Sequence, residues 1–347
     1  MNCKLSLRQS LEKRVLLLDG AMGTQILEFH LSEENFRGEK FAQSKVQLKG
    51  NNDVLNLTRP DVVRQIHRRY LEAGADLITT NTFSSQRISQ AEYGLTDEIH
   101  ELNVQGVLIA REEADRMTAI DPAHPRYVLG DVGPTSQMLS MSSDSDNPAS
   151  RTLTFDAMEE AFYEQILALV EGGVDAILLE TIFDTLNAKA AVSAYEKVKA
   201  TTGCDVPLMC SATVSDKSGR MLSGQTMEAF VVSIAHANPL SVGMNCGLGT
   251  AAMIPLLHRM QQAVVQHPAL SCHGEVFLSC HPSAGLPNQF GCYDDTPEEM
   301  AEEMRPLLAD GIARIVGGCC GTTHKSRRYY VSFMVKNSLA DIKVTQN

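Results

Sequence analysis

Two adjacent thiols stand in the stretch Ile315-Val316-Gly317-Gly318-Cys319-Cys320-Gly321-Thr322-Thr323, directly behind an apolar run that begins at Ile312. Neighbouring cysteines can bond to each other or jointly hold a metal. Adjacent Cα atoms lie about 3.8 Å apart, and disulfides seldom bridge less than about 4.4 Å, so a vicinal disulfide is strained. A soft or borderline divalent metal is the better partner, and zinc is the usual one for thiolates. Two thiolates leave a site incomplete, so a third ligand has to come from elsewhere in the chain. Gly317 and Gly318 are expected to supply backbone angles that a side chain would forbid.

The rest of the chain must bring that ligand. It repeats one pattern: a short apolar run, a polar or glycine-bearing turn, then a segment of helical period. The runs are Val15 to Leu18, Ala75 to Thr80, Tyr127 to Gly130, Ala176 to Leu179, Pro207 to Cys210, Leu240 to Met244, Glu275 to Cys280 and Ile312 to Val316. Helical periodicity begins at Pro60-Asp61, with Val63, Ile66, Tyr70 and Leu71 on one face, and recurs over 158–170, 188–198 and 227–237. Eight strand-like runs alternating with helices predict an α/β fold, a single (β/α)8 TIM barrel with its active site on the C-terminal face. No G-x-G-x-x-G follows the first run, which argues against a doubly wound dinucleotide fold. A long loop follows strand one and includes Lys49-Gly50-Asn51-Asn52-Asp53, and 141–148 is polar and turn-rich enough to be surface. The expected organisation is an N-terminal extension over 1–14, the barrel over 15–336, and a tail or linker over 337–347.

In such a barrel, groups at the C-terminal ends of strands converge on one face. Asp19 ends strand one, Glu180 strand four, Cys246 strand six, and Cys319 and Cys320 strand eight. Singly, each has an ordinary explanation: a turn aspartate, a satisfied strand-end carboxylate, a small buried hydrophobe. Together they form a candidate site. Cys3 and Cys204 lie in polar or terminal sequence, and Cys210 is expected to pack. Cys272-His273 and Cys280-His281 match no common zinc spacing and flank a strand at opposite ends, so they are not expected to form a second site.

Composition narrows the functional class. Of 347 residues, 44% are hydrophobic and 21% charged, as in ordinary globular proteins. A formal net charge of -12 argues against nucleic acid or an anionic membrane surface as a partner. No apolar run is long enough to span a bilayer, and residues 1–14 lack the core of a signal peptide. Nine cysteines without such a signal suggest free thiols in a reducing compartment, the cytoplasm by default.

Asp19-Gly20-Ala21-Met22-Gly23-Thr24, Asn245-Cys246-Gly247 and Gly317 to Thr323 resemble the signature stretches of homocysteine S-methyltransferases. Lys49 to Asp53, Glu72 to Asp76 and Glu180 to Ala188 are most similar to the N-terminal homocysteine-binding module of cobalamin-dependent methionine synthases. The resemblance runs from about Leu5 to about Thr323; His324 departs from it, standing where many relatives carry proline. It implies one Zn²⁺ per chain on Cys246, Cys319 and Cys320, which would also be the catalytic residues. It further implies substrate binding by Asp19, Gly20, Ala21, Met22, Glu180 and Asn245, with Glu180 facing the ammonium of homocysteine and the backbone of 20–23 its carboxylate.

The implied reaction is attack of homocysteine thiolate on a methyl group, giving methionine. The methyl would come from methylcobalamin, replenished from methyltetrahydrofolate. Only 27 residues follow Cys320 (347 minus 320), too few for another domain, so cobalamin-carrying and folate-binding modules or proteins are expected as partners. The alternatives are a homocysteine methyltransferase using S-methylmethionine or betaine and, from another class, a non-catalytic zinc or thiol redox sensor.

Overall fold

Strand alternation builds a ring whose inner face changes character from one end to the other. The computed structural model describes residues 5–325 apart from 143, 145, 215, 217, 272–273 and 290–292. Cys3, Cys272-His273 and the expected tail therefore lie outside the described residues. The strands are β1 (Leu16–Leu17), β2 (Leu77–Thr79), β3 (Tyr127–Val132), β4 (Ala176–Ile182), β5 (Leu208–Ala212), β6 (Ser241–Asn245), β7 (Phe277–His281) and β8 (Ala313–Val316). All pairings are parallel, in the order β1-β8-β7-β6-β5-β4-β3-β2. A bridge between Leu18 and Leu77, with Asp19 N donating to Leu77 O at 2.9 Å, joins β1 to β2 and closes the ring. This is the expected (β/α)8 barrel.

Side chains alternate across each strand, so every second residue points into the barrel. Leu16, Leu77, Tyr127, Leu129, Ala176, Leu178, Met209, Phe277 and Ile315 fill the interior as one apolar cluster. Leu7 and Leu11 complete it from the helix Leu7–Lys13, which closes the N-terminal end of the ring. A reciprocal Ser6–Gln9 capping box starts that helix, and Ser10 Oγ bonds the Tyr127 hydroxyl at 2.6 Å. Each buried leucine contributes about 1.5–3 kcal/mol, so the lower barrel is held by its own packing. Two residues further along the same strands, the same alternation turns Asp131 and Glu180 inward. The interior thus becomes polar at the C-terminal mouth.

The outer helices start where their capping residues say they should. Pro60 occupies the first turn of Pro60–Glu72, which buries Val63, Ile66, Tyr70 and Leu71 as expected. Thr154 caps Phe155–Gly172, Asp184 caps Thr185–Thr202, Thr226 caps Met227–Ile234 and Thr296 caps Pro297–Ala309. The long insertion after β1 carries short helices, Met22–Leu27, Glu33–Arg37 and Leu55–Thr58. Among the described residues, no helix is long and apolar enough to cross a membrane.

Several strands run past their expected ends, β3 to Val132 and β5 to Ala212, and one such difference changes the site. β4 runs on past Leu179 to Ile182, with a register shift between the two against β5. Glu180 is therefore an in-strand residue. The irregularity sits at Thr181, a non-glycine residue at φ 56°, a conformation that costs energy unless its surroundings impose it.

Candidate active site

The three cysteines meet. Sγ atoms of Cys246, Cys319 and Cys320 all lie within 4.8 Å of one another, and those of Cys246 and Cys320 are 3.5 Å apart. All described cysteines are free thiols. Tetrahedral zinc with Zn–S bonds near about 2.3 Å separates its sulfurs by roughly 3.8 Å, so the spacing and the donor type fit zinc. Among the described residues this is the one group of metal-binding side chains close enough to hold an ion.

Backbone turns present these thiols. Cys246 adopts φ 56° and Gly247 φ 71°, so the chain doubles back immediately after β6. A side chain at 247 would meet the Val214 carbonyl oxygen at 2.3 Å, which requires glycine there. Cys246 N donates to His281 O at 3.2 Å, and Ser283 Oγ donates to Cys246 Sγ at 3.6 Å. On the other side, Cys319 N donates to Pro282 O at 2.8 Å, and Thr322 Oγ1 donates to Cys319 O at 2.6 Å. Gly317 and Gly318 do not adopt left-handed angles, contrary to expectation. Their requirement is space: a Cβ on Gly318 would lie 2.4 Å from Thr322 Oγ1.

Electrostatics within the trio follow from crowding. Hydrogen bonds from the Cys319 and Cys320 thiols hold the Cys246 thiol down to about 2. Sharing that charge pushes Cys319 well above the usual thiol range and Cys320 upward. Crowded sulfurs oppose one another's ionisation; a divalent cation is what would let all three ionise. By contrast, Cys210 and Cys280 are wholly buried in the outer core, and burial pushes the Cys280 thiol up to about 12. They pack and do not ligate, as expected for Cys210. Neighbouring His281 alternates to the inner face and joins the site, so Cys280-His281 is not a metal pair.

Above the trio opens a cleft of about 560 Å³, and Asp19, Gly20, Ala21, Met22 and Glu180 all line it with the three cysteines. Asp19 accepts from Thr79 N at 2.9 Å and from Thr79 Oγ1. Glu180 lies 3.8 Å from His281 Nδ1, and burial with the nearby Asp19 charge pushes its carboxyl up to about 8. Gly20 is fixed by packing, since a Cβ would lie 2.7 Å from Thr322 Oγ1 and 2.9 Å from the Tyr70 hydroxyl. Ala21 N donates weakly to Thr322 Oγ1 at 3.4 Å, and Met22 and Gly23 open a short helix with no side-chain cap.

Asn245 does not line the cleft. Its Oδ1 accepts from Thr181 N at 2.9 Å and Ser211 Oγ at 2.7 Å, and its Nδ2 donates to Thr181 Oγ1 at 2.8 Å. Asn245 thus holds the strained Thr181 beside Glu180 while adjoining Cys246. Its side chain ties the two halves of the site together.

Three further residues belong to the cleft that the sequence reasoning did not single out. Asp131 is buried on β3 and hydrogen-bonded to Glu180; burial and the charges of Glu180, Asp53 and Asp19 raise its carboxyl well above the usual range. Asp53, from the insertion, accepts from Ser84 N and Ser85 Oγ, and burial lifts it to about 6. His281 is the third. Asp131 directly follows an apolar run, as do Asp19 and Glu180, so the same rule could have found it. His324 bonds Gln25 at 3.1 Å through its ring nitrogen, away from the ligands.

The family of homocysteine S-methyltransferases matches residues 16–328 of the chain. Among solved structures, the homocysteine methyltransferase MmuM from Escherichia coli is similar in fold. Its metallated form superposes with a TM-score of 0.72 at 21% identity, covering 94% of this chain and 99% of that one. Its oxidised form gives 0.70 at 19% identity, covering 92% and 95%.

Proposed function

The chain belongs to the homocysteine S-methyltransferase family and is a methyltransferase; from that premise we propose that it methylates homocysteine to methionine, with methylcobalamin as donor and one zinc ion per chain. The observation that carries this reading is the meeting of three thiols from two strand ends at the floor of an acid-lined cleft. Cys246, Cys319 and Cys320 would hold the ion and leave one of four tetrahedral positions for the substrate, the pattern of catalytic zinc. When bound, zinc supplies the Lewis acidity that keeps the substrate sulfur ionised at neutral pH, where a free thiol of pKa about 8.5 is mostly protonated.

The chain's own residues do the rest. Three thiolates bring three negative charges against the two of the ion, so the substrate sulfur retains the electron density that nucleophilic attack needs. Glu180 pairs with the ammonium group of homocysteine, and Asp19 sets the negative potential beside it. The N–H groups of Gly20, Ala21, Met22 and Gly23 receive the carboxylate. Asn245 acts indirectly, by fixing Thr181 and the end of β6. Cobalamin-carrying and folate-binding modules or proteins are the proposed partners. Free thiols suit a reducing compartment, the cytoplasm.

One observation favours a second donor class. Among the described residues lining the cleft there are five carboxyls, Asp19, Asp53, Glu92, Asp131 and Glu180, and no lysine or arginine. Such a wall suits a cationic methyl donor such as S-methylmethionine or betaine. The deciding experiment is homocysteine methylation by zinc-loaded protein, with free methylcobalamin, S-methylmethionine and betaine compared. Methyl transfer from methylcobalamin is expected, slowed by the lack of a partner to position it. Efficient turnover with a cationic donor and none with methylcobalamin would overturn the first reading in favour of the second.

A further inference from the structure

Glu180 reaches the cleft through an irregularity in its strand. Leu179 and Ile182 both pack into the outer core, and between them β4 advances three residues (179 to 182) while β5 advances two (210 to 212). The extra residue is a β-bulge, a feature that re-aims side chains and gathers beside active sites. It brings two successive residues, Glu180 and Thr181, to the cleft, where plain alternation would bring one. Thr181 takes φ 56°, an angle that glycine adopts freely and a β-branched residue resists. Threonine in place of glycine there calls for a reason, and its side chain supplies one. Thr181 Oγ1 accepts from Asn245 Nδ2 at 2.8 Å, and Thr181 N donates to Asn245 Oδ1 at 2.9 Å. Ser211 Oγ, on the intervening strand β5, donates to the same Oδ1 at 2.7 Å, and Asn245 is wholly buried. The clamp therefore spans the barrel interior from β4 to β6. At its far end, the residue after Asn245 is Cys246, which also takes φ 56°.

We propose that Thr181 is a positioning residue: clamped by Asn245, it fixes how far Glu180 stands from the three thiols and so selects homocysteine over cysteine, the amino thiol one methylene shorter. This rests on the reading that Glu180 holds the ammonium while the thiols and their proposed zinc hold the sulfur. A ligand gripped at both ends is measured by the separation of the grips. Here one amide joins the two strand ends that carry them, so neither can shift without breaking a buried bond. A bulge without the clamp would still deliver Glu180 to the cleft, but at no fixed distance from Cys246.

The test measures homocysteine, cysteine and the desamino analogue 4-sulfanylbutanoate by calorimetry on zinc-loaded protein, with zinc content and thermal melting as controls. Wild type is expected to bind homocysteine about 10-fold or more tighter than cysteine, the scale at which one methylene is told apart. Thr181→Val keeps the size and branching but removes the acceptor, and the preference is expected to fall to within about threefold. Thr181→Gly takes the same backbone angle without strain, so it folds even if the valine variant does not, and lacking the clamp it should lose the preference too. Thr181→Ser keeps the hydroxyl and should keep the wild-type preference. An undiminished preference in the valine or glycine variant would overturn the proposal, including one in which both ligands weaken equally, the mark of a merely structural role. So would a serine variant as indiscriminate as valine, or a wild type that binds cysteine as well as homocysteine. If wild type binds homocysteine and the desamino analogue equally, the ammonium reading of Glu180 itself fails, and the role of Thr181 falls with it.

Discussion

The two ends of the barrel treat their carboxylates in opposite ways. At the N-terminal end, Asp76 receives Arg14 through two bonds of 2.8 Å and the Leu17 N–H at 3.0 Å. Asp175 likewise receives Arg111 at 2.7 Å and the Val128 N–H at 2.8 Å. Each stands just before a strand and ties it to a helix or terminus with a cation of the protein's own. At the C-terminal mouth, Asp19, Asp53, Asp131 and Glu180 crowd together, and no lysine or arginine stands among the described residues of the cleft wall. Charges completed by the protein's own arginines serve the fold, whereas under the proposed function the carboxyls at the mouth face the cationic group of a substrate.

The strongest way to break this contrast is at the thiols. Cys246→Ala should abolish zinc retention and reduce methyl transfer to homocysteine by about 10³-fold or more, since a two-thiolate remnant is no longer a catalytic zinc site. Melting temperature should fall little, because the apolar barrel lies below the mouth. Elemental analysis beside a thermal melt checks both, and full zinc in that variant would remove Cys246 from the site.

Next in size is the opposite end. Asp76→Asn leaves Arg14 without its partner and should destabilise the protein by about 3 kcal/mol, the cost of breaking a largely buried ion pair. Denaturant unfolding measures it. Homocysteine affinity and zinc content of the folded fraction should be unchanged, and a selective loss of substrate binding would blur the division between the two ends.

A smaller effect is expected at Glu180. Glu180→Gln should weaken homocysteine by about 1–3 kcal/mol, the worth of a charge-assisted bond, with zinc unchanged. Equal affinities by calorimetry would exclude Glu180 from the amino-acid pocket.

The same residue also predicts a pH slope in stability. The Glu180 carboxyl is raised to about 8 in the folded protein by burial and by Asp19, against about 4.3 for an unperturbed glutamate. Between those values the unfolded chain binds fewer protons at this residue, so stability falls as pH rises through the window. Glutamine mimics the neutral form and has no such loss. The melting temperature of Glu180→Gln relative to wild type should therefore climb from pH 5 to pH 8, in substrate-free protein. A flat difference would show that Glu180 is already ionised when folded.

Much of the barrel was legible because its signals are local. Eight apolar runs, their helical spacers and Pro60 need no tertiary information, and the strand-end rule then assembles Cys246 with Cys319 and Cys320. What escaped depends on contacts between distant segments. β4 continues beyond Leu179 because Asn245, 64 residues further on, holds Thr181 in its strained conformation. Gly318 is glycine because of Thr322 packing, which no backbone propensity signals. Asp53 reaches the cleft from an insertion whose path the sequence does not give. Asp131 was accessible in principle: alternation along β3 turns it inward, but a lone aspartate before a Gly-Pro turn looks like turn chemistry.

The placement of the thiols also sets a schedule for assembly. Cys246 and Cys320 are 74 residues apart in the chain, on strands whose neighbour β7 must form between them. At typical synthesis rates that gap lasts roughly 4–15 s, during which Cys246 stands without its two companions. Only docking of β8 against both β7 and β1 brings the second and third sulfur into range. Under the proposed function, a metal bound by all three sulfurs would favour the closed ring over every partly wound form, because an ion that binds only the finished state stabilises that state by mass action. With zinc on the trio as proposed, its occupancy would report on the last step of barrel closure, and a chain that winds its final strand incorrectly would remain metal-free.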